Sequence, residues 1–354
     1  MTMPIRGPLP QDTRSRLADW LEVMALTASR GVATRADVVR LYDRLADDGH
    51  DVRYDPSNGD GLESEILEDD RHEAADVVLD ELEHRSAVVG SYYPFQIRSR
   101  GANWSIRWVS TRDRQSNESS TGQDCYIFCL LTSAIRDRRI QGQGIPDLER
   151  AMARHFQEIA SEAAAEVIGG VSVSFGWPRK EGTAFRPALQ DLNRQLRLGT
   201  VHDSVPIWSN GREKDSGIDV VAWREFDDKR PGKLVLFGQV ASGNDWTKKS
   251  VKADTPRFLS WFSQQPTHHY IPAIFIPFPQ HHECAGSREA AFEDVASTQA
   301  WLREQEFGLV IDRLRIVGAA ARRLTSSASP SGGNTLTSVR QWIDSALNEA
   351  KSAA

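Results

Sequence analysis

An acid and an amide interrupt two neighbouring apolar runs at positions where a core strand would place valine. Asp219 stands near the start of the run 218–223, and Gln239 stands near the end of the run 233–240. A polar turn containing Pro231-Gly232 separates the two runs, so the segment predicts a β-hairpin. Because the hairpin folds back on itself, the acid and the amide are expected to meet at one end of a sheet. Hard oxygen atoms placed in this way are the ligands that Mg²⁺ prefers.

Charged side chains flank the predicted hairpin on both sides. The preceding predicted helix carries Glu158 and Glu162, one helical turn apart. A basic cluster follows the second strand, in the stretch "NDWTKKSVK". A bound divalent ion activates water and stabilises a pentavalent phosphorus, so phosphodiester hydrolysis is the reaction that these residues predict.

The order of these elements resembles the PD-(D/E)XK nuclease superfamily of restriction endonucleases and repair nucleases. The resemblance covers roughly residues 145 to 280: a helix with an acid, a strand, an Asp-bearing strand, a turn, a second strand and a helix. It implies an α/β fold with a restriction-endonuclease-like mixed sheet flanked by helices. It also implies hydrolysis of DNA with Mg²⁺ or Mn²⁺ as the cofactor. Its motifs are short, so the order of elements carries more weight than any single residue.

The resemblance assigns the metal ligands residue by residue. The aspartate of the first half-motif falls on Asp219, and the second half-motif falls on Gln239-Val240-Ala241, where the family usually has Glu-x-Lys. The implied ligands are Glu158, Asp219, the amide oxygen of Gln239 and the carbonyl of Val240. Glu158 follows Phe156 closely, as is usual in the family, and Glu162 stays an alternative.

The usual lysine of the second half-motif is absent, since Ala241 occupies its place. In this family that lysine is thought to position the attacking water and to neutralise the charge that develops on phosphorus. Some relatives are thought to supply it from the following helix. The resemblance therefore assigns this role to Lys249, with Lys248 as the alternative and Lys252 further along the same stretch.

A second hypothesis comes from a different class of protein. The substitutions at Gln239 and Ala241 are also those expected of a scaffold or DNA-binding subunit that kept the nuclease fold and lost the chemistry. Convergence of Glu158, Asp219 and Lys249 within the reach of one hydrated magnesium ion separates the two hypotheses.

The elements that precede this region predict a separate domain. Three segments with helical spacing are followed by two short strands around Gly101-Ala102-Asn103, which is the order of a winged-helix module. We expect a helical winged-helix-like domain over 1–110, a linker over 111–123, a nuclease-like domain over 124–322, and a flexible linker with a terminal helix over 323–354.

DNA recognition by the third predicted helix is disfavoured by its charge, because phosphates would be repelled by its acidic face. Docking, dimerisation or a purely structural role suits this helix better. Its acids are Glu63, Glu65, Glu68, Asp69, Asp70, Glu73, Asp76, Asp80, Glu81 and Glu83.

Composition narrows the class of protein further. The net charge of −6 argues against a protein that coats nucleic acid by bulk electrostatics, although it permits a local basic groove. Three cysteines cannot form a disulfide framework, and Cys125 and Cys129 are expected to be buried on one helix face. Without a signal peptide or an apolar run of about 18 residues, cytoplasmic residence away from the membrane is expected.

Other sequence signatures favour no competing enzyme class. GxSxG, P-loop and HExxH motifs do not occur, so the sequence lacks the signatures of serine hydrolases, P-loop NTPases and zincins. Since the chain carries no ATPase motif of its own, we expect it to act as a homo-oligomer or with partner subunits. Base stacking by Trp177 or Trp208 is a minor hypothesis. Structural zinc is disfavoured, because the spacing of the candidate ligands matches no usual finger pattern. Those candidates are His268, His269, His281, His282, Glu283 and Cys284.

Overall fold

The chain folds as a mixed α/β protein, in which helices and strands hold most of the residues. The computed structural model describes residues 13–47, 65–109, 117–179, 182–207, 209, 213–228, 230, 232–267, 269–283, 289–327, 329 and 332–352. The helices are α1 (Arg14–Thr27), α2 (Arg35–Asp47), α3 (Glu65–Val89), α4 (Glu118–Arg136), α5 (Ile145–Ile168), α6 (Phe185–Leu196), α7 (Val251–Leu259), α8 (Glu289–Phe307), α9 (Arg313–Thr325) and α10 (Gly332–Ser352). The strands are β1 (Val32–Thr34), β2 (Phe95–Arg100), β3 (Asn103–Trp108), β4 (Val171–Ser174), β5 (Thr200–Val201), β6 (Val220–Glu225), β7 (Lys233–Val240), β8 (Phe262–Gln264), β9 (Ile271–Phe275) and β10 (Leu309–Ile311).

The central sheet has the strand order β10–β9–β7–β6–β4. The pairs β4–β6 and β6–β7 are antiparallel, whereas the pairs β7–β9 and β9–β10 are parallel. The predicted hairpin is confirmed as β6–β7, in which Val220 lies opposite Gly238 and Glu225 opposite Lys233. The crossover from β7 to β9 passes through α7, as parallel pairing requires.

Alternation along the strands divides the core between the two faces of the sheet. Val220 and Ala222 point to the face covered by α5, whereas Val221 and Trp223 point to the face covered by α6 and α7. α5 presents buried side chains at helical spacing to the first face, among them Phe156. Each fully buried aliphatic or aromatic side chain contributes about 1.5–3 kcal/mol, so this packing holds α5 firmly against β4, β6 and β7.

A small antiparallel sheet accompanies the first three helices. The predicted turn at Gly101 joins β2 to β3, and β1 adds to β3 to give the order β1–β3–β2. The sequence did not reveal β1, because three residues are too few to establish an alternating pattern. The predicted third helix begins at Glu65 in the structure, and Glu63, also predicted on this helix, lies outside the described residues.

Part of the segment predicted as a linker is helical. Residues 117–123 form the cap and first turns of α4, where Asn117 and Ser120 make a reciprocal capping box. Because this stretch consists of small and polar residues, it shows no apolar repeat, although Ser120 and Thr121 are buried. The rest of the predicted linker, up to residue 116, lies outside the described residues.

The helix predicted after the second strand of the hairpin is α7, which ends at Leu259, and the following residues enter β8. The terminal helix is confirmed as α10, which packs Trp342 and Leu347 into the core. Cys125 and Cys129 on α4 are buried, as the sequence predicted.

A buried ion network connects the first three helices to the rest of the chain. Asp19 on α1 accepts hydrogen bonds from Arg85 of α3 at 2.6 Å and from Arg313 of α9 at 2.7 and 2.8 Å. Glu22 lies 3.0 Å from Arg85 and also accepts the hydroxyl of Tyr126 on α4. One continuous apolar cluster surrounds these charges, so the helices of both regions share a core.

Candidate active site

Asp219 lies directly before β6, at the end of the hairpin where the two strands separate. Its Oδ2 accepts the backbone N–H of Val240 at 2.8 Å, and its own N–H donates to the carbonyl of Gly238 at 2.9 Å. The carboxylate thus takes the place of a main-chain acceptor at the last residue of β7. The structure therefore brings Asp219 beside the main chain of Val240, through the N–H of that residue.

The surroundings of Asp219 favour the protonated carboxyl. Although part of the residue remains accessible to solvent, the packing around it is dense, and burial raises the pKa of Asp219 to about 7. The hydrogen bond from Val240 and the charge of Lys249 act in the opposite direction, whereas Asp215 and Asp254 reinforce the increase. An added cation would relieve this accumulation of negative charge.

The residue of α5 that faces Asp219 is Gln157, which is buried. Its Nε2 donates to Ser174 Oγ at 2.7 Å and to the carbonyl of Asp219 at 3.4 Å. A Cβ placed on Gly176 would lie 2.2 Å from Asp219 Oδ1 and 2.8 Å from Gln157 Oε1. The two oxygens are therefore separated by at most the sum of these distances, about 5.0 Å, around a point that only glycine leaves open.

Glu158 and Glu162 have other partners. Glu158 Oε1 lies 3.2 Å from Arg154, and Oε2 lies 3.6 Å from His155. Burial acts to raise the pKa of Glu158, but contacts with His155 and Arg154 outweigh it and lower the pKa. Glu162 accepts the hydroxyl of Ser329 at 2.9 Å, and its other oxygen lies 3.6 Å from Arg323 of α9.

Gln239 is buried and its Oε1 lacks a hydrogen-bond partner among the described residues. The β6–β7 pairing ends at Val220–Gly238, so Asp219 and Gln239 are the residues that directly adjoin the last pair, one on each strand. A buried amide oxygen without a partner costs about 1–3 kcal/mol, so it is placed to accept a ligand that the protein chain does not supply.

The structure distinguishes the three lysines that follow β7. Lys248 pairs with Asp245 on the surface at 2.7 Å, and Lys252 donates to the carbonyl of Gln305. Lys249 acts electrostatically on both Asp219 and Asp254, lowering the pKa of each against the effect of burial. Of the candidates in this stretch, Lys249 is therefore the one near the carboxylate.

Sequence reasoning missed three charged neighbours of Asp219. Asp215 binds the N–H of Gly217 at 2.9 Å in the loop before β6, and Asp254 of α7 packs so closely on Gly217 that a Cβ there would lie 2.4 Å from its carboxyl. Arg179 lies 4.7 Å from the centre of the Phe175 ring, and burial lowers its pKa against the attraction of Asp215 and Asp219. The spacing Asp-x-x-x-Asp around Gly217 was the available signal for Asp215.

Oxygen atoms at this end of the sheet suit a hard divalent cation. Asp219 supplies a carboxylate, Gln239 an unpartnered amide oxygen, and Gln157 a further amide oxygen. Among the described residues, no group of three or more His, Cys, Asp or Glu side chains is arranged to hold a metal. A cation bound here would therefore depend on amide, water and phosphate oxygens beside one carboxylate.

Two cavities lie along the same sheet. One of about 470 Å³ opens beside Arg179 and is lined by Ser174, Thr183 and Asp191. The larger, of about 770 Å³, opens at the opposite ends of β4 and β6, beside Arg224 and Glu225. Ser174, which lines the smaller cavity, pairs with Val220 at the start of β6. Because Asp219 directly precedes Val220, the smaller cavity is the one near the candidate site.

The histidines considered for zinc do not gather in the described residues. His281 bonds through Nε2 to the buried carboxylate of Glu81 at 2.8 Å, and it packs edge-on against His84. Trp177 is exposed near Arg179, whereas His268, Cys284 and Trp208 lie outside the described residues.

Comparisons of the chain with protein-family models, curated proteins and solved structures give no significant match. In the part of the chain that the structure describes, none of the helices is both long enough and apolar enough to cross a membrane.

Proposed function

We propose that this protein is a metal-dependent DNA endonuclease of the PD-(D/E)XK type. The observation that carries the proposal is the position of Asp219 beside the main chain of Val240, at the adjoining ends of two antiparallel strands, with Lys249 close enough to act on its pKa. The succession α5, β4, β6, β7, α7 and β9 supports it, as does a sheet in which three antiparallel strands are followed by parallel pairing.

Mg²⁺ or Mn²⁺ would be held by Asp219, the Gln239 amide oxygen and the Val240 carbonyl, with Gln157 in the place that we assigned to Glu158. When bound, such an ion lowers the pKa of a water molecule and stabilises charge on phosphorus. Lys249 orients the attacking water and offsets the negative charge that develops during phosphodiester cleavage. Arg179 and Asp254 set the electrostatic field around these groups.

Residues 1–110 form a winged-helix-like module in this proposal. The order α1, β1, α2, α3, β2 and β3, with the sheet order β1–β3–β2, supports that assignment. DNA is the substrate, and the enzyme works as a homo-oligomer or with partner subunits. Defence against foreign DNA is the biological role that we propose, and DNA repair requires the same chemistry.

A non-catalytic scaffold or DNA-binding subunit is the second candidate. It is favoured by the contacts of Glu158, which bonds to Arg154 rather than to the Asp219 centre. Of the three groups whose convergence separates the two functions, Asp219 and Lys249 are close, whereas Glu158 contacts its own helix. Nuclease activity therefore requires that the amide oxygen of Gln157 replace the carboxylate ligand that was expected from Glu158.

The test is incubation of the purified protein with plasmid, linear and single-stranded DNA in the presence of Mg²⁺ or Mn²⁺. Asp219→Asn is the inactive variant, and Asp147→Asn, in an exposed pair with Arg150, is the matched control. We expect cleavage by the wild type and the control and none by Asp219→Asn. Equal cleavage by all three proteins would assign the activity to a contaminant, and no cleavage by any of them would support the scaffold.

A further inference from the structure

The small sheet β1–β3–β2 has two faces of opposite character. One face is packed against the helices and includes Ala33, Phe95, Trp104 and Ile106, all of them buried. The opposite face alternates with it, and its residues on β2 and β3 are polar. They are Gln96, Arg98, Arg100, Asn103, Ser105 and Arg107.

The register places these polar side chains in three cross-strand pairs. Gln96 lies opposite Arg107, Arg98 opposite Ser105, and Arg100 opposite Asn103. Paired residues share a face of the sheet, so the three arginines lie on the same face of the β2–β3 hairpin. We name the surface formed by Arg98, Arg100 and Arg107 the arginine face.

No acidic residue occurs on β1, β2 or β3. Arg98, Arg100 and Arg107 are exposed, and the described contacts of Arg98 are with the amide oxygen of Gln96 rather than with a carboxylate. In a chain with a net charge of −6, three exposed arginines on strands that carry no acid form a local positive patch. The acid at its edge is Asp37 of α2, which accepts the hydroxyl of Thr34 on β1 at 2.8 Å.

Acids outnumber bases on α3, which carries nine acids against Arg71 and Arg85. Among these acids, Asp76 lies 3.7 Å from Arg35 of α2, and the buried Glu81 binds Arg85 and His281. Because of this charge balance α3 offers no positive surface for phosphates, whereas the hairpin beside it does. The usual expectation that the third helix enters the major groove does not suit this charge distribution.

We infer that the arginine face binds the phosphate backbone of double-stranded DNA, so that the module contacts its substrate through the hairpin and not through α3. The inference rests on the proposed function, since it supplies that nuclease with its DNA contact. Guanidinium groups bind phosphate oxygens with two parallel hydrogen bonds, and such contacts position DNA without reading its sequence. The amide and hydroxyl groups of Gln96, Asn103 and Ser105 offer neutral contacts between the arginines.

The test measures binding of a fluorescent 20-base-pair DNA duplex in EDTA at several salt concentrations. All proteins carry Asp219→Asn, which prevents cleavage. The triple variant R98A/R100A/R107A is compared with R150A/R230A/R315A, which removes the same charge from exposed arginines that lie beside acids. Near-equal thermal unfolding of the two triple variants shows that neither change affects the fold.

We expect the arginine-face variant to bind on the order of 100-fold more weakly at 0.1 M salt, with a salt slope shallower by about 2 to 3, because about one counterion is released for each phosphate contact. The control variant should keep at least a third of the parent affinity. Equal binding by the two variants, no DNA binding by the parent, or tighter binding of an RNA duplex of the same sequence would each overturn the inference. Cleavage by the otherwise unaltered wild type reports separately on the proposed function.

Discussion

Gln157 and Asp219 meet across Gly176, where the middle of α5 packs on the sheet beside the start of β6. The amide of Gln157 donates to the carbonyl of Asp219, and its Oε1 lies within about 5.0 Å of Asp219 Oδ1. The neighbouring Glu158 is rotated away by about 100°, as successive residues of an α-helix are. This one-residue difference decides which side chain of α5 can act at the site.

Gln157→Ala is expected to lower the rate of DNA cleavage by about 10- to 100-fold, the usual loss when a group that ligates or orients a metal ligand is removed. Glu158→Ala should change the rate by less than about threefold, because Glu158 pairs with Arg154 and His155. Single-turnover cleavage of plasmid DNA measures both. A larger loss of cleavage rate in Glu158→Ala than in Gln157→Ala would show that Glu158, and not Gln157, acts at the site.

Gly176→Ala should abolish most of the activity, since its Cβ would lie 2.2 Å from Asp219 Oδ1 and force the carboxylate or the backbone to move. Gly243→Ala is the matched control, because its φ of −107° suits any residue and no atom lies within 4 Å of its Cβ position. Cleavage rates and thermal unfolding are measured for both. Wild-type activity in Gly176→Ala would show that the space beside Asp219 is not needed.

The pKa of Asp219 predicts a pH-dependent stability. Because it is raised from 3.8 to about 7, the folded protein holds a proton that the unfolded chain releases between about pH 4 and pH 7. The free energy of unfolding of the wild type should therefore fall as the pH rises through this interval, by up to about 4 kcal/mol and by less where solvent reaches the carboxylate. Asparagine at position 219 cannot titrate, so the free energy of unfolding of Asp219→Asn, relative to that of the wild type, should increase as the pH rises through the same interval.

Urea unfolding at pH 4.5 and pH 8 in EDTA measures this difference. Adding Mg²⁺ at pH 8 should then stabilise the wild type and leave Asp219→Asn unchanged, because a cation that binds Asp219 favours its charged form. Parallel pH profiles for the two proteins would show that Asp219 does not titrate in this range.

Lys249→Ala should reduce cleavage by about 10²- to 10³-fold, the usual effect of removing one group that stabilises charge in a transition state. Lys248→Ala should retain nearly full activity, since Lys248 pairs with Asp245 at the surface. The two variants have the same net charge, so a general loss of DNA binding would affect both alike. Equal rates for the two variants would remove Lys249 from the mechanism.

Asp19→Ala should destabilise the protein by about 3–5 kcal/mol, because it leaves the buried guanidinium groups of Arg85 and Arg313 without their shared carboxylate. Asp147→Ala, which removes an exposed ion pair, should change stability by less than about 0.5 kcal/mol. Denaturant unfolding monitored by circular dichroism compares the two. Since the core is shared, one cooperative transition is expected, and two separate transitions would show that the regions unfold independently.

Local pattern was sufficient to predict the hairpin. The alternation in 218–223 and 233–240 and the intervening turn defined β6 and β7, because both strands belong to one continuous segment. The same local information placed Asp219 and Gln239 at one end of that hairpin. It could not predict β1 or the start of α4, because one is too short and the other lacks an apolar repeat.

The sequence by itself determined which side chains the two strands present, because strand alternation and the turn depend on neighbouring residues. Only the tertiary structure decided that α5 presents Gln157 rather than Glu158, since the rotation of a helix about its axis is set by the packing of Phe156 and its other buried residues on the sheet. It likewise decided that Lys249, and not Lys248 or Lys252, lies near Asp219. That choice depends on the turn between β7 and α7 and on long-range contacts, which no local spacing encodes.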